Sequence, residues 1–340
     1  MSLFSKLKKK LFKKNLSHLN LVNNSKFIHF IYNDKFGQGF IDFINRNYNS
    51  KDHVFLTQNF INLPKLVGKN VIEIKDLKEY KISLNKDQKI ICHSLFLSGV
   101  IDFFYKNILL NKTYWMIYGG DLYNANRSDK DDYVRKNFYG YITDVDKDIL
   151  EPITMEMIQN AKKIKKDNKI VKIQINNSCD LSTIDMLNKL KKFKNENIKI
   201  STILSYGDLS YKDEIIKLGN SIFDKKFSYI DNMLSPEDYA KKTYENDILI
   251  LNQNRQQGLG NSFLALQFGQ KLFIRSNIST FDYLEKNGNK IFDSNDIENF
   301  SFKDFLLFSD EDKQKNLKNS KKFFEDNFIK DKWDNVFNQK

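Results

Sequence analysis

The segment 247–276 constrains the fold more than any other part of the chain, because two short apolar runs flank a stretch with helical spacing. Ile248–Leu251 has the length and composition of a buried strand, and Leu272–Ile274 is a second run of the same kind. Between them, the apolar residues of Phe263–Phe268 recur at helical spacing, and Gly269 is a natural helix end. A strand, a helix and another strand in this order predict a parallel sheet of the α/β class.

The loop of this unit carries residues that suit a negatively charged ligand. Gly258 and Gly260 allow a close approach of the backbone, and Asn261 and Ser262 are residue types that commonly cap a helix. A helix N-terminus offers unpaired N–H groups with a partial positive charge, and Arg255 adds a full charge. Two side-chain amides complete the loop, Gln256 and Gln257. The pattern predicts a diphosphate site; the open alternative is an ordinary tight turn between a strand and a helix.

Length and composition predict two packed domains. A chain of 340 residues exceeds the usual size of one domain. Hydrophobic residues make up 41% of it, which is enough for two cores and argues against wholesale disorder. The two cysteines, Cys92 and Cys179, stand alone within predicted core strands, so we expect buried thiols in a reducing compartment. No group of His and Cys residues has the spacing of a zinc site.

The formal net charge of +12 indicates an anionic partner: nucleic acid, a membrane surface or a phosphorylated substrate. No RNA-binding, helix-turn-helix or zinc-finger pattern is present, so we predict no nucleic-acid partner, while a basic nucleic-acid-binding α/β protein stays open as an alternative. The longest apolar stretch, Ile90–Tyr105, is too short and too polar to cross a bilayer. With no signal-peptide pattern, we expect the protein in the cytoplasm or on the inner face of a membrane.

Residues 1–20 form a basic amphipathic segment. Phe4, Leu7 and Leu11 can share one helical face, while lysines crowd the flanks and the opposite face. This pattern is typical of an interfacial helix on anionic lipid, with roughly 1 kcal/mol for each well-placed basic residue. The segment therefore predicts peripheral binding to an anionic membrane surface; the open alternative is a solvated basic tail.

Polar residues follow two predicted strands in the first half of the chain. Lys89–Cys92 is an apolar run with His93 directly after it, and Tyr114–Tyr118 is another. The loop after the second run contains Gly119, Gly120, Asp121 and Tyr123. Ligands of open α/β sheets lie beyond the carboxyl ends of the strands, so His93 and Asp121 are candidates for substrate contact or general-base chemistry. The alternatives are a histidine that satisfies backbone groups and an aspartate that caps the next helix.

The α/β pattern restarts in the second half. Ile170–Ile175 reads as a strand, and the small polar residues Asn177 and Ser178 follow it at the start of a helix, where an anion or a sugar binds well. We therefore predict four parts. They are the basic segment 1–20, a first Rossmann-like domain over 21–160, a second over 161–325, and a C-terminal helix over 326–340 that returns to the first domain.

Two motifs resemble one known family. The first is Arg255–Gly260 followed by Leu264, Gln267 and Gly269, and the second is Trp115 followed by Gly119, Asp121, Leu122 and Tyr123. Both are similar to motifs of the TDP-N-acetylfucosamine:lipid II N-acetylfucosaminyltransferases, glycosyltransferase family 56, which make the lipid-linked trisaccharide of enterobacterial common antigen. A Gly-Asn-Ser-Gly-Asp motif of the family is echoed at 176–180, where Asn176 and Cys179 replace the glycines. The resemblance covers roughly 27–290.

The resemblance implies a GT-B fold, in which two Rossmann-like domains face a central cleft, and a hexosyltransferase that needs no metal or other cofactor. The donor would be a TDP-linked deoxyamino sugar. The acceptor would be a lipid-diphosphate-linked saccharide at the cytoplasmic face of the inner membrane, with the enzyme bound peripherally. The alternatives are another nucleotide-sugar-dependent transferase of O-antigen or capsule synthesis, such as a fucosyltransferase, and a non-catalytic nucleotide-sugar-binding homologue.

The resemblance also assigns the candidate site residues. Donor binding is expected from the loops of the second domain, by Arg255, Gln256, Gln257, Gly258, Gly260, Asn261, Ser262, Asn177 and Ser178. Acceptor binding is expected from Gly119, Gly120 and Tyr123 in the first domain. Asp121 is the first candidate for the general base and His93 is the second; a transfer that retains configuration would need neither.

Overall fold

The computed structural model describes residues 21–34, 36–60, 63–74, 77, 82, 84–107, 109–117, 128–143, 153–166 and 169–338. The chain divides into two compact units, a first unit of Met1–Pro152 with Ile329–Lys340, and a second unit of Ile153–Phe328. The basic segment 1–20 and the loop with Gly119, Gly120, Asp121 and Tyr123 lie outside the described residues.

The first unit is built on one parallel sheet. Its elements in chain order are β1 (Phe27–Tyr32), α1 (Gly37–Asn47), β2 (His53–Gln58), β3 (Val71–Glu73), β4 (Lys89–His93), α2 (Val100–Asn107), β5 (Thr113–Met116), α3 (Asp129–Lys136) and β6 (Gly140–Ile142). The strands are ordered β3-β2-β1-β4-β5-β6, and every pair is parallel. Residues of β2 are buried along its whole length, as expected for a sheet covered on both faces.

Each face of this sheet packs against helices. On one face, Ile28 and Phe30 of β1 pack with Phe103 and Phe104 of α2. On the other face, side chains of β1 and β4 pack with α1 and with the C-terminal helix, whose Trp333 lies 4.8 Å from Phe40 between ring centroids. The C-terminal helix, Asp326–Asn338, therefore contributes its second part to the core of the first unit.

The second unit repeats this architecture. Its elements are α4 (Met155–Ala161), β7 (Val171–Ile175), α5 (Ser182–Leu190), β8 (Ile198–Ile203), α6 (Lys212–Phe223), β9 (Phe227–Ile230), α7 (Pro236–Tyr244), β10 (Ile248–Leu251), α8 (Leu259–Gln267), β11 (Lys271–Ile274), α9 (Ser279–Lys286), β12 (Phe292–Asp293), α10 (Phe302–Leu306), α11 (Asp310–Ser320) and the start of α12 (Asp326–Asn338). Its strand order is β12-β11-β10-β7-β8-β9, again with every pair parallel.

Short 3₁₀ segments join or extend several of these elements. They are Ser50–Asp52, Leu110–Lys112, Lys191–Phe193, Leu209–Tyr211, Asp224–Lys226, Ser294–Asn299 and Lys321–Phe324. The helices of the described part of the chain are all too short or too polar to span a lipid bilayer.

The two sheets share one topology, which determines where a ligand is expected. In each unit the first strand pairs with the fourth, β1 with β4 and β7 with β10, and the strand order reverses between them. The crevice beyond the carboxyl ends of such a pair is the usual ligand site of an open α/β sheet. His93 ends β4, and the loop with Arg255 follows β10, so candidates predicted from the sequence lie at both switch points.

Three details differ from the sequence prediction. The predicted domain boundary falls near 160, whereas the second unit begins at Ile153, because Ile158 and Ala161 of α4 pack with Ala240 of α7. Helix α8 begins at Leu259, so the prediction that Asn261 and Ser262 cap its N-terminus is wrong. Both thiols are free and buried, as predicted, but Cys179 lies in the loop after β7 and not in a strand; burial raises the pKa of Cys179.

Candidate functional site

Loops after β7 and β10 are bound together at the switch point of the second unit. Asn176 directly follows β7 with a φ of 52°, the left-handed conformation that Asn tolerates better than most residues. Its Oδ1 accepts the backbone N–H of Asn252 at 2.7 Å, and its Nδ2 donates to Thr183 Oγ1 at 2.8 Å. Asn176, which stands where the family motif has a glycine, thus adopts a backbone region that glycine favours.

Next along the loop, Asn177 and Ser178 bind side chains of the β10 loop. Asn177 Oδ1 accepts from Gln253 Nε2 at 2.9 Å, and Asn177 Nδ2 donates to the hydroxyl of Tyr206 at 3.0 Å. Ser178 Oγ accepts from Gln257 Nε2 at 2.7 Å. The structure therefore brings together the two predicted donor-binding loops, although they lie far apart in sequence.

Arg255 projects from the β10 loop. Its Nη2 lies 3.3 Å from Asp180 Oδ2, and its Nε donates to Gln257 Oε1 at 3.1 Å. Half of the side-chain surface is exposed. A guanidinium has five N–H donors, so these contacts orient Arg255 and leave donors for a ligand.

The start of α8 lies beside these side chains. Gly258 precedes the helix in the left-handed conformation, with φ 73° and ψ 29°, and no side chain caps the helix. A Cβ on Gly258 would lie 3.2 Å from Asn177 Nδ2, so the glycine allows the two loops to approach. The first amides of α8, including that of Gly260, have no acceptor within the helix and carry its partial positive charge.

The side chains of the other residues predicted to bind the sugar donor are hydrogen-bonded within the protein or partly buried. Ser262 is fully buried, and its hydroxyl donates to the carbonyl of Gly258 at 3.1 Å. Asn261 Oδ1 accepts from the hydroxyl of Tyr239. Gln256 is half-buried in the loop. Asn261 and Ser262 can therefore contribute to an anion site through their place at the helix start more than through their side chains.

The sequence analysis did not predict the buried polar residues at the start of the β10 loop. Gln253 is buried, and its Oε1 has no hydrogen-bond partner in the structure. Asn252 accepts Arg275 Nε on its carbonyl at 2.6 Å and donates Nδ2 to Asp185 at 3.0 Å. Two consecutive amide residues directly after an apolar strand, Asn252 and Gln253, are the sequence signal that could have revealed these contacts. Through Asn252, these contacts connect the β10 loop to Asp185 of α5 and to Arg275 after β11.

The arrangement of Arg255, Gly258 and the start of α8 suits a diphosphate. A guanidinium binds phosphate oxygens in a forked geometry, and helix-terminal amides bind them as neutral donors. Over the described ranges, no group of three or more His, Cys, Asp or Glu side chains is arranged to hold a metal ion. The sequence Asp129–Asp132, which has the spacing of a metal motif, forms the first turn of α3, where Ser128 and Asp131 make a capping box.

At the switch point of the first unit, His93 ends β4 and is 1% exposed. Its Nε2 lies 3.0 Å from Nδ1 of His29, and Nε2 of His29 lies 3.0 Å from Nδ1 of His53. His29 and His53 were not predicted from the sequence, because each lies inside or at the start of a strand without a motif around it. The next residue, Ser94, has a φ of 71°, a strained conformation for a residue other than glycine.

Burial favours the neutral forms of His29 and His53. Burial lowers the pKa of His29 well below its ordinary value, and protonation of His93 or His53 would lower it further. Burial lowers the pKa of His53 from 6.5 to about 4. Of the smaller effects, the charge of Asp52 raises this pKa and the charge of Lys26 lowers it. The pair of His29 and Phe55 is stacked at 4.6 Å between ring centroids, which adds to this apolar environment.

The comparisons with known proteins agree with the fold and name a family. The family described as "4-alpha-L-fucosyltransferase glycosyl transferase group 56" matches residues 133–340, which include the Arg255 loop. No curated protein matches the chain.

Solved structures of glycosyltransferases are similar over nearly the whole chain. A glycosyltransferase from Rickettsia africae ESF-5 has a TM-score of 0.59 at 9% identity, covering 93% of this chain and 98% of its own. Trehalose-6-phosphate synthase OtsA has a TM-score of 0.59 at 9% identity, covering 93% and 99%. WaaG, a glycosyltransferase involved in lipopolysaccharide biosynthesis, has a TM-score of 0.51 at 10% identity, covering 92% and 100%.

At such identities these structures establish the fold, and the family match establishes the class of protein. Two parallel-sheet α/β units with one shared topology are the two Rossmann-like domains of the GT-B fold. The chain belongs to the 4-alpha-L-fucosyltransferase family, glycosyl transferase group 56, and is a glycosyltransferase with the GT-B fold.

Proposed function

We propose that the loops after β7 and β10 bind the diphosphate of a nucleotide-sugar donor. The observation that carries this proposal is the position of the Arg255 loop at the switch point of the second sheet, beside the uncapped start of α8. In the proposed complex, Arg255 and the amides of 258–262 bind the phosphate oxygens, with Asn177 and Ser178 beside them. Gln256 and Gln257 complete the donor loop.

The proposed donor sugar is a deoxyamino sugar, 4-acetamido-4,6-dideoxygalactose, carried on TDP. The proposed acceptor is a saccharide linked to a polyprenyl diphosphate in the synthesis of bacterial surface polysaccharide. Support comes from the motifs at 115–123 and 255–269, which resemble enzymes with these substrates. A second candidate is fucose on a nucleotide donor, because the matching family is described by 4-alpha-L-fucosyl transfer.

In the proposed reaction, the leaving nucleotide diphosphate gains negative charge as the bond to the sugar breaks. Arg255 and the helix-terminal amides stabilise that charge, which is the role that a divalent ion has in enzymes that need one. We therefore propose transfer without a metal. On the acceptor side, we propose that Gly119, Gly120 and Tyr123 bind the saccharide. We further propose that Asp121 and His93 remove the proton of the acceptor hydroxyl.

Proposed attachment to the membrane is peripheral, at the cytoplasmic face of the inner membrane, through the basic amphipathic segment 1–20. Basic residues interleaved with apolar ones support this location. Removal of 1–20 is expected to abolish co-sedimentation with anionic liposomes. Equal sedimentation of the truncated and full-length chains would contradict the attachment.

A donor panel tests the proposed function. The purified protein is given TDP-, UDP- and GDP-sugars with a lipid-diphosphate-linked saccharide, with and without EDTA, and transfer and donor hydrolysis are measured. Turnover of a TDP-linked deoxyamino sugar that is unaffected by EDTA is expected. Turnover of GDP-fucose alone would favour the second candidate. Thermal shifts with oligonucleotides but with no nucleotide sugar would contradict a glycosyltransferase role and favour nucleic-acid binding.

A further inference from the structure

Three of the four histidines of the chain form one hydrogen-bonded row across the sheet of the first unit. His53 begins β2, His29 is the third residue of β1, and His93 ends β4. These strands are adjacent and parallel. The row therefore crosses the sheet diagonally, from the amino ends of the strands to their carboxyl ends.

The row lies in an apolar layer between the sheet and helices α1 and α12. The ring of Phe55 stacks on His29, Phe40 lies 4.7 Å from His93 between centroids, and Phe337 lies 5.0 Å from His53. All three histidines are at most 2% exposed. A charged imidazole is costly in such surroundings, so the neutral forms are favoured.

Hydrogen bonding couples the tautomers of neutral imidazoles in a row. Each neutral ring has one N–H donor and one acceptor nitrogen. If Nε2 of His93 carries the proton, it donates to Nδ1 of His29; Nε2 of His29 must then donate to Nδ1 of His53. The opposite direction requires all three protons on Nδ1. Only these two arrangements satisfy both hydrogen bonds.

We propose that this row is a proton path that carries the proton released at the carboxyl edge of the first sheet to the amino edge of the same sheet. The proposal rests on the proposed function, in which His93 helps to remove the proton of the acceptor hydroxyl. His29 and His53 are then positioning residues that act through His93.

Each transfer along the row is balanced. One proton binds Nδ1 of His93, the Nε2 proton of His93 passes to Nδ1 of His29, and the Nε2 proton of His29 passes to Nδ1 of His53. The Nε2 proton of His53 leaves, so one proton enters and one departs, and no imidazolium persists. After product release the reverse sequence resets the row: a proton from the amino edge binds Nε2 of His53, and one proton leaves Nδ1 of His93 at the carboxyl edge. The row therefore acts as a temporary proton acceptor during the transfer step, and the proton of the acceptor reaches solvent once the product has left. Because His93 is 1% exposed, its proton arrives through one intervening polar group or water molecule.

A cavity at the amino edge provides the exit. Its volume is about 390 Å³, and His53 is part of its lining. The charged residues of the lining are Lys26, Asp52, Asp87, Lys89 and Asp334. Water in this cavity, or one of its carboxylates, can take the proton that leaves Nε2 of His53. The row therefore allows a base buried among aromatic rings to accept a proton without becoming a buried cation.

Nitrogen NMR of the imidazoles tests the row without any substrate. Long-range proton–nitrogen correlations distinguish the two neutral tautomers and the imidazolium, and a chain with four histidines gives a simple spectrum. At neutral pH, three neutral histidines with the same tautomer are expected. His29→Gln should change the tautomer balance of His93 and His53. Opposed tautomers in neighbouring rings, or an imidazolium in the row, would overturn the proposal.

Kinetics test the use of the path. His29→Gln keeps one donor and one acceptor but does not exchange protons as an imidazole does, so kcat should fall by about a hundredfold with an unchanged donor KM. Phe55→Leu is the matched control, since it removes a ring that stacks on His29 and leaves the row intact. Its kcat should stay at the wild-type value.

Chemical rescue separates a proton path from a structural role. His53→Ala opens space beside the cavity, so added imidazole should restore kcat in this variant and leave His29→Gln unaffected. A folded His29→Gln protein with wild-type kcat, or His53→Ala without rescue, would overturn the proposal. If the wild-type protein transfers no sugar, the proposed function fails, and the NMR result still decides whether the row has coupled neutral tautomers.

Discussion

Asn176 Oδ1 accepts the backbone N–H of Asn252 at 2.7 Å and joins the two loops that form the candidate donor site. The bond connects residues that directly follow β7 and β10, the two strands at the switch point of the second sheet. Asn252 is fully buried, and the bond gives its backbone N–H a hydrogen-bond acceptor. The geometry of the site therefore depends on one side chain in a left-handed backbone conformation.

Substitution of Asn176 should separate its two roles. Asn176→Gly keeps the left-handed φ and loses the buried hydrogen bonds, which should lower the free energy of unfolding by about 2 kcal/mol. Asn176→Ala loses the same bonds and adds backbone strain, for a further cost of about 1 kcal/mol. Chemical denaturation measures both. Equal stabilities of the two variants would show that the backbone conformation contributes nothing.

Arg255→Ala should weaken the proposed donor site. The loss of a charged donor from the diphosphate should lower kcat by about a hundredfold and raise the donor KM. Lys242→Ala is the matched control, because Lys242, on α7 of the same unit, is similarly exposed and forms an ion pair with Glu245. Steady-state kinetics with a varied donor concentration provides the measurement. Wild-type parameters for Arg255→Ala would remove it from the donor site.

Gly258→Ala should damage the same site through the backbone. The residue has a φ of 73°, which is strained for alanine, and a new Cβ would lie 3.2 Å from Asn177 Nδ2, so the Asn177 side chain must shift. We expect donor binding to weaken by about tenfold, or about 1.4 kcal/mol. In Gly39→Ala the Cβ meets nothing within 4 Å inside α1, so helix stability should rise by about 1 kcal/mol without a change in donor binding. Calorimetric titration with the donor nucleotide distinguishes the two variants.

Acid should destabilise the first unit through the histidine row. The pKa of His53 is about 4 in the folded protein and 6.5 ordinarily, so between these values the unfolded chain binds more protons. Stability therefore falls as the pH falls from about 6.5 to about 4, by about 3 kcal/mol from His53 alone. The lowered pKa of His29 acts in the same direction.

His53→Phe provides the comparison for this pH dependence. The variant keeps a ring that can stack on Phe27, as His53 does at 5.0 Å, but it cannot titrate. Denaturation curves of wild type and variant, measured across the window, should converge or cross as the pH falls, because only the wild type loses the His53 contribution. A constant difference between the two proteins would contradict the lowered pKa.

Lys271 should be essential for the stability of the second unit. It is 3% exposed, and its Nζ donates to the carbonyls of Asp304, Phe305 and Leu307 at the end of α10. Lys271→Met removes this shared donor from the three carbonyls, of which that of Asp304 keeps the backbone N–H of Leu307, and should cost about 3 kcal/mol. The ammonium groups of Lys271 and Lys290 both lie over the ring of Phe292, but Lys290 is exposed. Lys290→Met is therefore the control and should change the free energy of unfolding little. Thermal unfolding of the two variants makes the comparison, and equal melting temperatures would refute the role of Lys271.

Much of the secondary structure could be predicted because its signal is local. Apolar runs predict strands at Ile170–Ile175 and Ile248–Leu251; in the structure β7 is Val171–Ile175 and β10 is Ile248–Leu251. The start of α8 was predicted too late, because Asn and Ser commonly cap helices, whereas here Gly258 turns the chain into the helix in the left-handed conformation. A preference for capping is a weak local energy, and the packing of the loop against Asn177 outweighs it.

The sequence by itself determined the α/β class, the repeated strand–helix pattern and the identity of the loop with Arg255, since each depends on residues close together along the chain. Only the tertiary structure decided the strand order, the bond between Asn176 and Asn252, and the row of His29, His53 and His93. Such contacts join residues from different strands, and no local periodicity records them. Their formation depends on which strands pair, and that pairing is determined by the packing of the whole unit.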